Sequence, residues 1–173
     1  MSGAPTLPSL FQQRVVVGVG DLAVSNNANV NISTFALGSC VGIIIYDSEA
    51  KVGGLIHIML PDSTLSPEKA QKQPAMFADT GMPILFRNLC GLRAERSRMK
   101  AFVAGGASVI SGSDMFKIGE RNIMAVKRLI NTLGIKVVKA DVGGVNNRTV
   151  HLNVGNGEVT MKTPLGTSKL SLA

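Results

Sequence analysis

The chain has 173 residues, of which 45% are hydrophobic, so it is long enough for one domain with a buried core and too apolar for wholesale disorder. No apolar run approaches the roughly 18 residues of a membrane span, and the first residues lack the basic and apolar regions of a secretory signal. Two cysteines are too few for a disulfide framework. We therefore expect a cytoplasmic protein with no direct membrane insertion.

Basic side chains dominate the charge, with 18 Lys and Arg against 11 Asp and Glu, a formal net charge of +7. Several of them lie in residues 87–100, which we call the basic segment. This segment is either a solvated face or a docking surface for an acidic protein. Nucleic acid is not an expected partner, because only 4% of residues are aromatic and none of them interleaves with these arginines.

The predicted elements follow one another without an internal repeat. Residues 1–14 are expected to form a flexible N-terminal tail, residues 15–162 a single catalytic domain and residues 163–173 a C-terminal tail. Strands are predicted at 15–18, 29–37, 41–46, 53–60, 99–105, 135–142, 149–154 and 158–162. Residues 66–74 and the glycine-rich stretch 105–114 are predicted loops. Helices are predicted from about 80 to Gly91, with an apolar stripe that includes Met82 and Leu85, and from Glu120 to Leu133.

The order of these elements indicates the fold class. Strands outnumber helices and do not alternate with them one to one, which disfavours a doubly wound parallel sheet. We therefore predict an α+β layered sandwich of mostly antiparallel strands with two main helices. Gly134 is expected to end the second helix at its C′ position.

Cofactor and metal motifs are weak in this chain. Residues 18–23 match the dinucleotide fingerprint G-x-G-x-x-A, but Ser25, Asn26 and Asn27 follow where a helix is required to hold the pyrophosphate. Gly105 and Gly106 are not followed by the lysine of a phosphate-binding loop. The two cysteines and two histidines lack the spacing of a zinc site. No cofactor and no metal are therefore expected.

One cluster, Thr34 to Cys40 followed by His57, has the residue types of a hydrolytic cysteine site. Such a site needs a thiolate, a nearby base and backbone donors for the oxyanion. Gly38 and Ser39 precede Cys40 and can turn the chain so that its amides face a substrate. If Tyr46 pairs with Lys51 across the following hairpin, Cys40 lies directly opposite His57, close enough for a thiolate–imidazolium pair.

Structural roles remain open for each of these residues. Cys40 can be a small buried hydrophobe and His57 a core histidine that bonds a backbone group. His57 nevertheless interrupts the otherwise apolar run 55–60, where an imidazole without a partner costs desolvation energy. Cys90 is expected to pack in the core, and His151 is expected to be a partly exposed strand residue.

The sequence resembles the CheD family of bacterial chemoreceptor glutamine deamidases. The likeness includes the stretch from Thr34 to Val41 and Gly54–Asp62 (GLIHIMLPD). It continues through Gly105-Gly106-Ala107, Ile118-Gly119-Glu120-Arg121-Asn122, Asp141-Val142-Gly143-Gly144 and Arg148, and covers about residues 15–161.

The resemblance implies a catalytic Cys40, a base His57 and an orienting Thr34, with Gly38 and Ser39 supporting the oxyanion through the backbone. It implies an α/β/β sandwich similar to the catalytic domains of deamidating toxins. The implied reaction converts glutamines of methyl-accepting chemotaxis receptors to glutamate, with release of ammonia, through a thioester. Family members also bind a CheC-type phosphatase, which makes this a candidate partner.

Two other functions stay open at this stage. The chain could be a non-catalytic adaptor that binds receptors and a CheC-type phosphatase, or a cysteine peptidase with the same chemistry. Retention of Thr34, Cys40 and His57 favours the enzyme, since an adaptor has no need of a polar pair in an apolar hairpin.

Overall fold

A computed structural model describes residues 12–108 and 116–173 of the protein. Within these ranges, two five-stranded sheets pack face to face and two main helices cover one of them. The strands are β1 (Gln13–Val16), β2 (Leu22–Ser25), β3 (Val30–Leu37), β4 (Val41–Asp47), β5 (Val52–Ile58), β6 (Met99–Gly105), β7 (Lys136–Val142), β8 (Arg148–Asn153), β9 (Glu158–Thr163) and β10 (Gly166–Ser171). The α-helices are α1 (Pro67–Lys72), α2 (Ala78–Gly91) and α3 (Ile118–Leu133), and short 3₁₀ turns lie at Ser63–Leu65, Pro74–Met76 and Arg96–Arg98.

The two sheets differ in their position in the sandwich. The outer sheet has the order β1-β3-β8-β9-β10, and the central sheet has the order β2-β5-β4-β6-β7. Only the β1–β3 and β6–β7 pairs are parallel among the strand pairs of the described ranges. The predicted α+β sandwich of mostly antiparallel strands is therefore confirmed.

The central sheet is buried on both faces, and this explains its sequence. One apolar cluster fills the space between the central sheet and α2 and α3, and a second fills the space between the sheets. Every residue of β4 and of β5 is buried as a result. A strand covered on both sides has no solvent face, so it reads as a continuous apolar run rather than as an alternation.

The two main helices follow their predicted apolar stripes. Met82, Leu85 and Leu89 of α2 are buried against the central sheet. In α3 the buried face includes Val126 and Ile130. Gly134 adopts the left-handed conformation after the last turn, with φ of 69°, and its amide bonds the carbonyl of Asn131.

Several boundaries differ from the sequence prediction, and β2 was not predicted as a strand at all. Residues 166–171, assigned to a tail, form β10 on the edge of the outer sheet, and Leu172 is fully buried in the inter-sheet cluster. Gln13 and Arg14 belong to β1 rather than to a tail. Residues 67–72, assigned to a loop, form α1, which Pro67 starts at a position that requires no amide donor.

Two predicted segments fall partly outside the described residues. These are the N-terminal tail up to residue 11 and the glycine-rich loop from residue 109 to residue 114. Among the residues described, no helix is both long enough and apolar enough to cross a membrane.

Candidate active site

Cys40 lies where the chain passes from the outer sheet to the central sheet. β3 ends at Leu37, β4 begins at Val41, and Cys40 is the last residue of the short connection. The pairing of β3 with β8 is irregular between Thr34 and Leu37, where Ala36 has a φ of 55°. A left-handed non-glycine residue at a bulge bends the strand and redirects the side chains that follow. This kink brings the nucleophile candidate to the edge of the sandwich.

The predicted hairpin register is wrong by two residues. Tyr46 pairs with Gly53 instead of Lys51, so His57 lies opposite Gly42 and not opposite Cys40. The turn lies one residue further along the chain than expected. Asp47 closes the hairpin with Val52, and the Asp47 carboxylate accepts hydrogen bonds from the amides of Glu49 and Ala50 within the turn. A shift of two preserves which face each side chain occupies.

Cys40 and His57 accordingly face the same layer of the molecule. Cys40 packs against the apolar cluster between the two sheets. His57 points toward the outer sheet, where its Nδ1 atom lies 2.7 Å from the Thr34 hydroxyl. Gly42, opposite His57, has no side chain, and Leu37 of the inter-sheet cluster fills that space. The three residues predicted for the site therefore border one region between the sheets.

The hydrogen bonds of Thr34 define the protonation of the His57 ring. The Thr34 hydroxyl is also 2.6 Å from the backbone carbonyl of Val17, which can only accept a hydrogen bond. The single hydroxyl proton must therefore go to Val17, and the hydroxyl must accept from His57. The ring consequently carries its proton on Nδ1 and presents a free lone pair on Nε2, the arrangement that a general base requires.

The Nε2 atom of His57 is buried without a hydrogen-bond partner among the described residues. The residue is 1% exposed. Its backbone bonds both Gly20 and Asp21, which fixes this part of β5. An unsatisfied buried nitrogen costs free energy and is uncommon in folded proteins. A general base needs such an unpaired nitrogen in its resting state, because Nε2 must be free to accept a proton.

Burial shifts both titratable groups toward their neutral forms. It lowers the pKa of His57 from 6.5 to about 4. Burial raises the pKa of the Cys40 thiol, and the backbone amide of Cys40 opposes this change only in part. These directions favour a neutral thiol and a neutral imidazole at pH 7, in contrast to the predicted resting ion pair.

The backbone around Cys40 is held at three successive carbonyls. The Gly38 carbonyl accepts from the Ala107 amide at 2.8 Å, and the Cys40 carbonyl accepts from the Gly106 amide at 2.8 Å. Between them, the Ser39 carbonyl accepts from the side chain of Asn122 at 2.9 Å. The connection that carries the thiol is thus fixed to the end of β6 and to α3.

The amides of this connection differ in availability. The Gly38 amide donates to the Ala36 carbonyl at 3.0 Å, so Gly38 contributes to the connection through this turn and through its carbonyl. The amides of Ser39 and Cys40 make no hydrogen bond to another group within the described ranges. They are the two donors that a substrate carbonyl could use.

Asn122 was not predicted as a site residue. It lies in the second turn of α3, is 0% exposed and donates from Nδ2 to the carbonyls of Ser39 and Met59, at 2.9 and 3.0 Å. Its Oδ1 atom is buried and unpaired among the residues described. The sequence carries one signal for it, a polar residue four positions before Val126 on the apolar face of the helix.

Close backbone contacts explain several other motif residues. A Cβ atom on Gly105 would overlap the Cys40 carbonyl oxygen, and one on Gly119 would lie 2.6 Å from the Gly106 carbonyl oxygen. Arg148, which is buried, bonds Asp141 at 2.7 Å and the Gly105 carbonyl at 3.4 Å. These residues brace the framework behind Cys40.

The remaining candidate residues lie elsewhere. His151 is half-buried on the far face of the outer sheet, as predicted, where its Nδ1 atom lies 2.6 Å from the Ser33 hydroxyl. Cys90 is exposed, so its predicted core packing is wrong. It falls on the solvent face of α2, one position after the buried Leu89.

The basic segment lies at the end of the sandwich opposite Cys40. Asp47 ends β4, whereas Cys40 precedes its first residue. Arg98 of the segment bonds the fully buried Asp47 carboxylate and also pairs with Glu49 and Glu95. Arg98 is therefore engaged within the fold and is not free for a partner.

Comparison with known proteins identifies the family. The family model described as CheD chemotactic sensory transduction matches residues 59–163. A relative from Solibacter usitatus named probable chemoreceptor glutamine deamidase CheD is 43% identical over 87% of this chain and 89% of its own. The chemoreceptor glutamine deamidase CheD of Halalkalibacterium halodurans is 42% identical over 86% of this chain and 93% of its own. The chain belongs to the CheD family.

A solved structure with a similar arrangement is that of a Neisseria meningitidis protein of family DUF152. It aligns with a TM-score of 0.45 at 11% identity and covers 79% of this chain and 64% of its own.

Proposed function

We propose that this protein is a chemoreceptor glutamine deamidase in which Cys40 is the nucleophile and His57 the general base. The relatives' names supply the reaction, a hydrolysis of side-chain amides. The observation that carries the assignment of residues is the unpaired Nε2 of His57, whose Nδ1 proton is engaged by Thr34. Cys40 borders the same inter-sheet layer.

The reaction begins with a proton transfer. As the thiol attacks the side-chain carbonyl carbon of a receptor glutamine, its proton moves to His57 Nε2. The ring then becomes an imidazolium in an apolar environment, which is unfavourable by the direction of its pKa shift. The cation is therefore a stronger acid than a solvent-exposed imidazolium and returns its proton readily.

The second half of the reaction releases ammonia and then glutamate. The tetrahedral intermediate collapses, the C–N bond breaks, and His57 gives its proton to the leaving ammonia, which leaves a thioester on Cys40. Water then gives a proton to Nε2 and adds to the thioester. The C–S bond breaks, and the Nε2 proton returns to the sulfur to restore the thiol. Backbone donors at Ser39 and Cys40 would stabilise both oxyanions, each worth about 3 kcal/mol in comparable enzymes.

The experiment measures ammonia release from a purified receptor cytoplasmic fragment. Peptide mass mapping then identifies each glutamine that has been converted to glutamate. The parent should convert specific glutamines, and Cys40→Ala should abolish conversion. Cys90→Ser is the matched control, because that thiol is exposed on α2 and should be dispensable. Deamidation that persists in Cys40→Ala would refute the nucleophile, and cleavage of the fragment would indicate a peptidase.

A CheC-type phosphatase is a candidate partner. Binding to receptor or phosphatase without any change of the glutamines would support the adaptor function instead. The exposed members of the basic segment, such as Arg93 and Arg96, suit an acidic partner. Affinity that falls steeply with salt would support their involvement, and salt-independent binding would exclude it.

A further inference from the structure

Asn122 bonds the Ser39 carbonyl, for which residues 12–108 and 116–173 provide no backbone donor. Gly38 and Cys40 have their carbonyl oxygens bonded by the amides of Ala107 and Gly106, whereas the Ser39 carbonyl is bonded by the Asn122 side chain. The orientation of the Asn122 amide is unambiguous, because both of its partners are carbonyl oxygens and can only accept.

The Ser39 carbonyl and the Cys40 amide belong to the same peptide group. A peptide group is planar and trans, so its C=O and N–H bonds point in opposite directions. A hydrogen bond that anchors the Ser39 oxygen on α3 therefore also directs the Cys40 N–H away from α3. The same bond polarises the peptide group, and a polarised N–H is a stronger donor.

Apart from its contact with the thiol of its own residue, the Cys40 amide that is directed in this way remains available. It bonds no other group within the described ranges, and it belongs to the residue that carries the proposed nucleophile. An amide of the nucleophile's own residue is well placed to meet the oxygen of the carbonyl under attack. The second bond of Asn122 is to the carbonyl of Met59, the residue after β5. Asn122 therefore links the Ser39–Cys40 peptide to the end of the strand that carries His57.

The cost of this arrangement argues for a function. Asn122 is 0% exposed, and its Oδ1 atom has no partner in the described part of the chain. An unsatisfied buried acceptor destabilises the folded state by about 1–3 kcal/mol. A purely structural position on the apolar face of α3 would be better filled by an aliphatic residue.

We infer that Asn122 is a positioning residue that aims and polarises the Cys40 amide as an oxyanion donor. This inference rests on the proposed function, since it requires that Cys40 attack the substrate. Asn122 has no part in forming the nucleophile under this inference. A change at Asn122 should therefore lower turnover without lowering the reactivity of the Cys40 thiol.

The test compares turnover with thiol reactivity in a Cys90→Ser background. Asn122→Leu should lower kcat for ammonia release from the receptor fragment by at least tenfold, with KM and the rate of Cys40 alkylation by iodoacetamide each within threefold of the parent. Asn122→Ser keeps one hydroxyl donor, so its kcat should lie between that of Asn122→Leu and that of the parent. Asn131→Ser is the matched control, an exposed asparagine on the same helix, and should leave all three values unchanged.

Two results would overturn the inference. One is a kcat within twofold of the parent in a folded Asn122 variant. The other is an equal loss of turnover and of alkylation, which would indicate general disruption of the site. Should the leucine variant fail to fold, the serine variant decides by the same criteria. Ammonia release that persists in Cys40→Ala would refute the proposed function itself, whatever the Asn122 variants show.

Discussion

Consecutive residues of β3 serve opposite faces of the outer sheet. Thr34 points inward and its hydroxyl bonds His57, while Ser33 points outward and its hydroxyl bonds His151. The alternation of a strand therefore places two hydroxyl–imidazole pairs back to back. Only the inner pair includes a ring nitrogen that is buried and unpaired within the described residues.

Thr34→Val should lower kcat by about tenfold or more while the protein stays folded. Valine keeps the shape of threonine but leaves the Nδ1 proton of His57 without a partner, so the ring can rotate or change tautomer. The melting temperature should also fall, because a buried donor loses its bond. Steady-state kinetics and thermal unfolding check this, with Ser33→Ala as the matched control on the same strand. Equal kinetics for both variants would contradict the role of Thr34.

Cys40 should react with iodoacetamide increasingly fast as the pH rises through and above 8. The thiolate is the reactive species, burial raises the thiol pKa, and a neutral His57 provides no positive charge to lower it. Acidification should therefore suppress the reaction, with no reactive plateau between pH 5 and 7. Alkylation rates measured in a Cys90→Ser background report Cys40 alone. A fast, pH-independent reaction in that range would instead indicate a resting ion pair.

At the scale of elements, the end of β6 fixes the position of the connection between β3 and β4, which carries Cys40. Gly105 has a φ of 116°, and the following Gly106 has a φ of 69°. The absence of side chains lets β6 approach the Cys40 backbone closely enough for the bond from Gly106 to Cys40. Close packing of backbone on backbone, rather than a large side chain, defines the position of the thiol.

Gly105→Ala should destabilise the protein by more than about 3 kcal/mol and remove activity. Its Cβ atom would overlap the Cys40 carbonyl oxygen, so one of the two backbones must move. Gly134→Ala is the matched control: it has a similarly left-handed backbone but open space around it, and should cost only about 1 kcal/mol. Denaturant unfolding compares the two, and equal losses would show that backbone conformation alone matters at Gly105.

At the scale of the whole molecule, the proposed active site and the buried Asp47–Arg98 ion pair lie at opposite ends of the sandwich. The proposed site lies at the start of β4, and the buried Asp47 lies at its end. Burial of Asp47 raises its carboxyl pKa, but bonds from Arg98 and from the amides of Glu95, Ala50 and Glu49 outweigh this, so the net pKa is lowered. This pairing contributes stability above the usual pKa of a carboxyl group, and the contribution is lost as the pH falls.

Arg98→Gln should lower the melting temperature at pH 7 without changing kcat below that temperature. The substitution leaves the buried Asp47 charge with backbone donors alone, at the end of the molecule remote from Cys40. The difference in melting temperature from the parent should shrink in acid, as Asp47 is protonated in both proteins. Arg96→Gln, an exposed neighbour, is the control. A selective loss of turnover in Arg98→Gln would contradict this separation of the two ends.

Local patterns predicted the sandwich well where burial is regular. The apolar runs of β4 and β5 and the stripes of α2 and α3 are properties of neighbouring residues, so period and composition reveal them. The hairpin register was missed because Asp47 pairs with Val52 and its carboxylate bonds amides within the turn, which moves the turn one residue along the chain. β10 was missed because its residues on the edge of the sheet are exposed or half-buried, so their hydrophobic alternation is weak.

Residue chemistry in the sequence singled out Cys40 and His57, because a cysteine and a histidine beside or within apolar strands stand out, and the family resemblance added Thr34. Only the tertiary structure decided the tautomer of His57, the burial that shifts the pKa values of Cys40 and His57 toward their neutral forms, and the anchoring of the Ser39 carbonyl by Asn122. Each of these depends on which atoms from distant segments meet in a buried space, and hydrogen bonding and desolvation act at that range rather than along the chain.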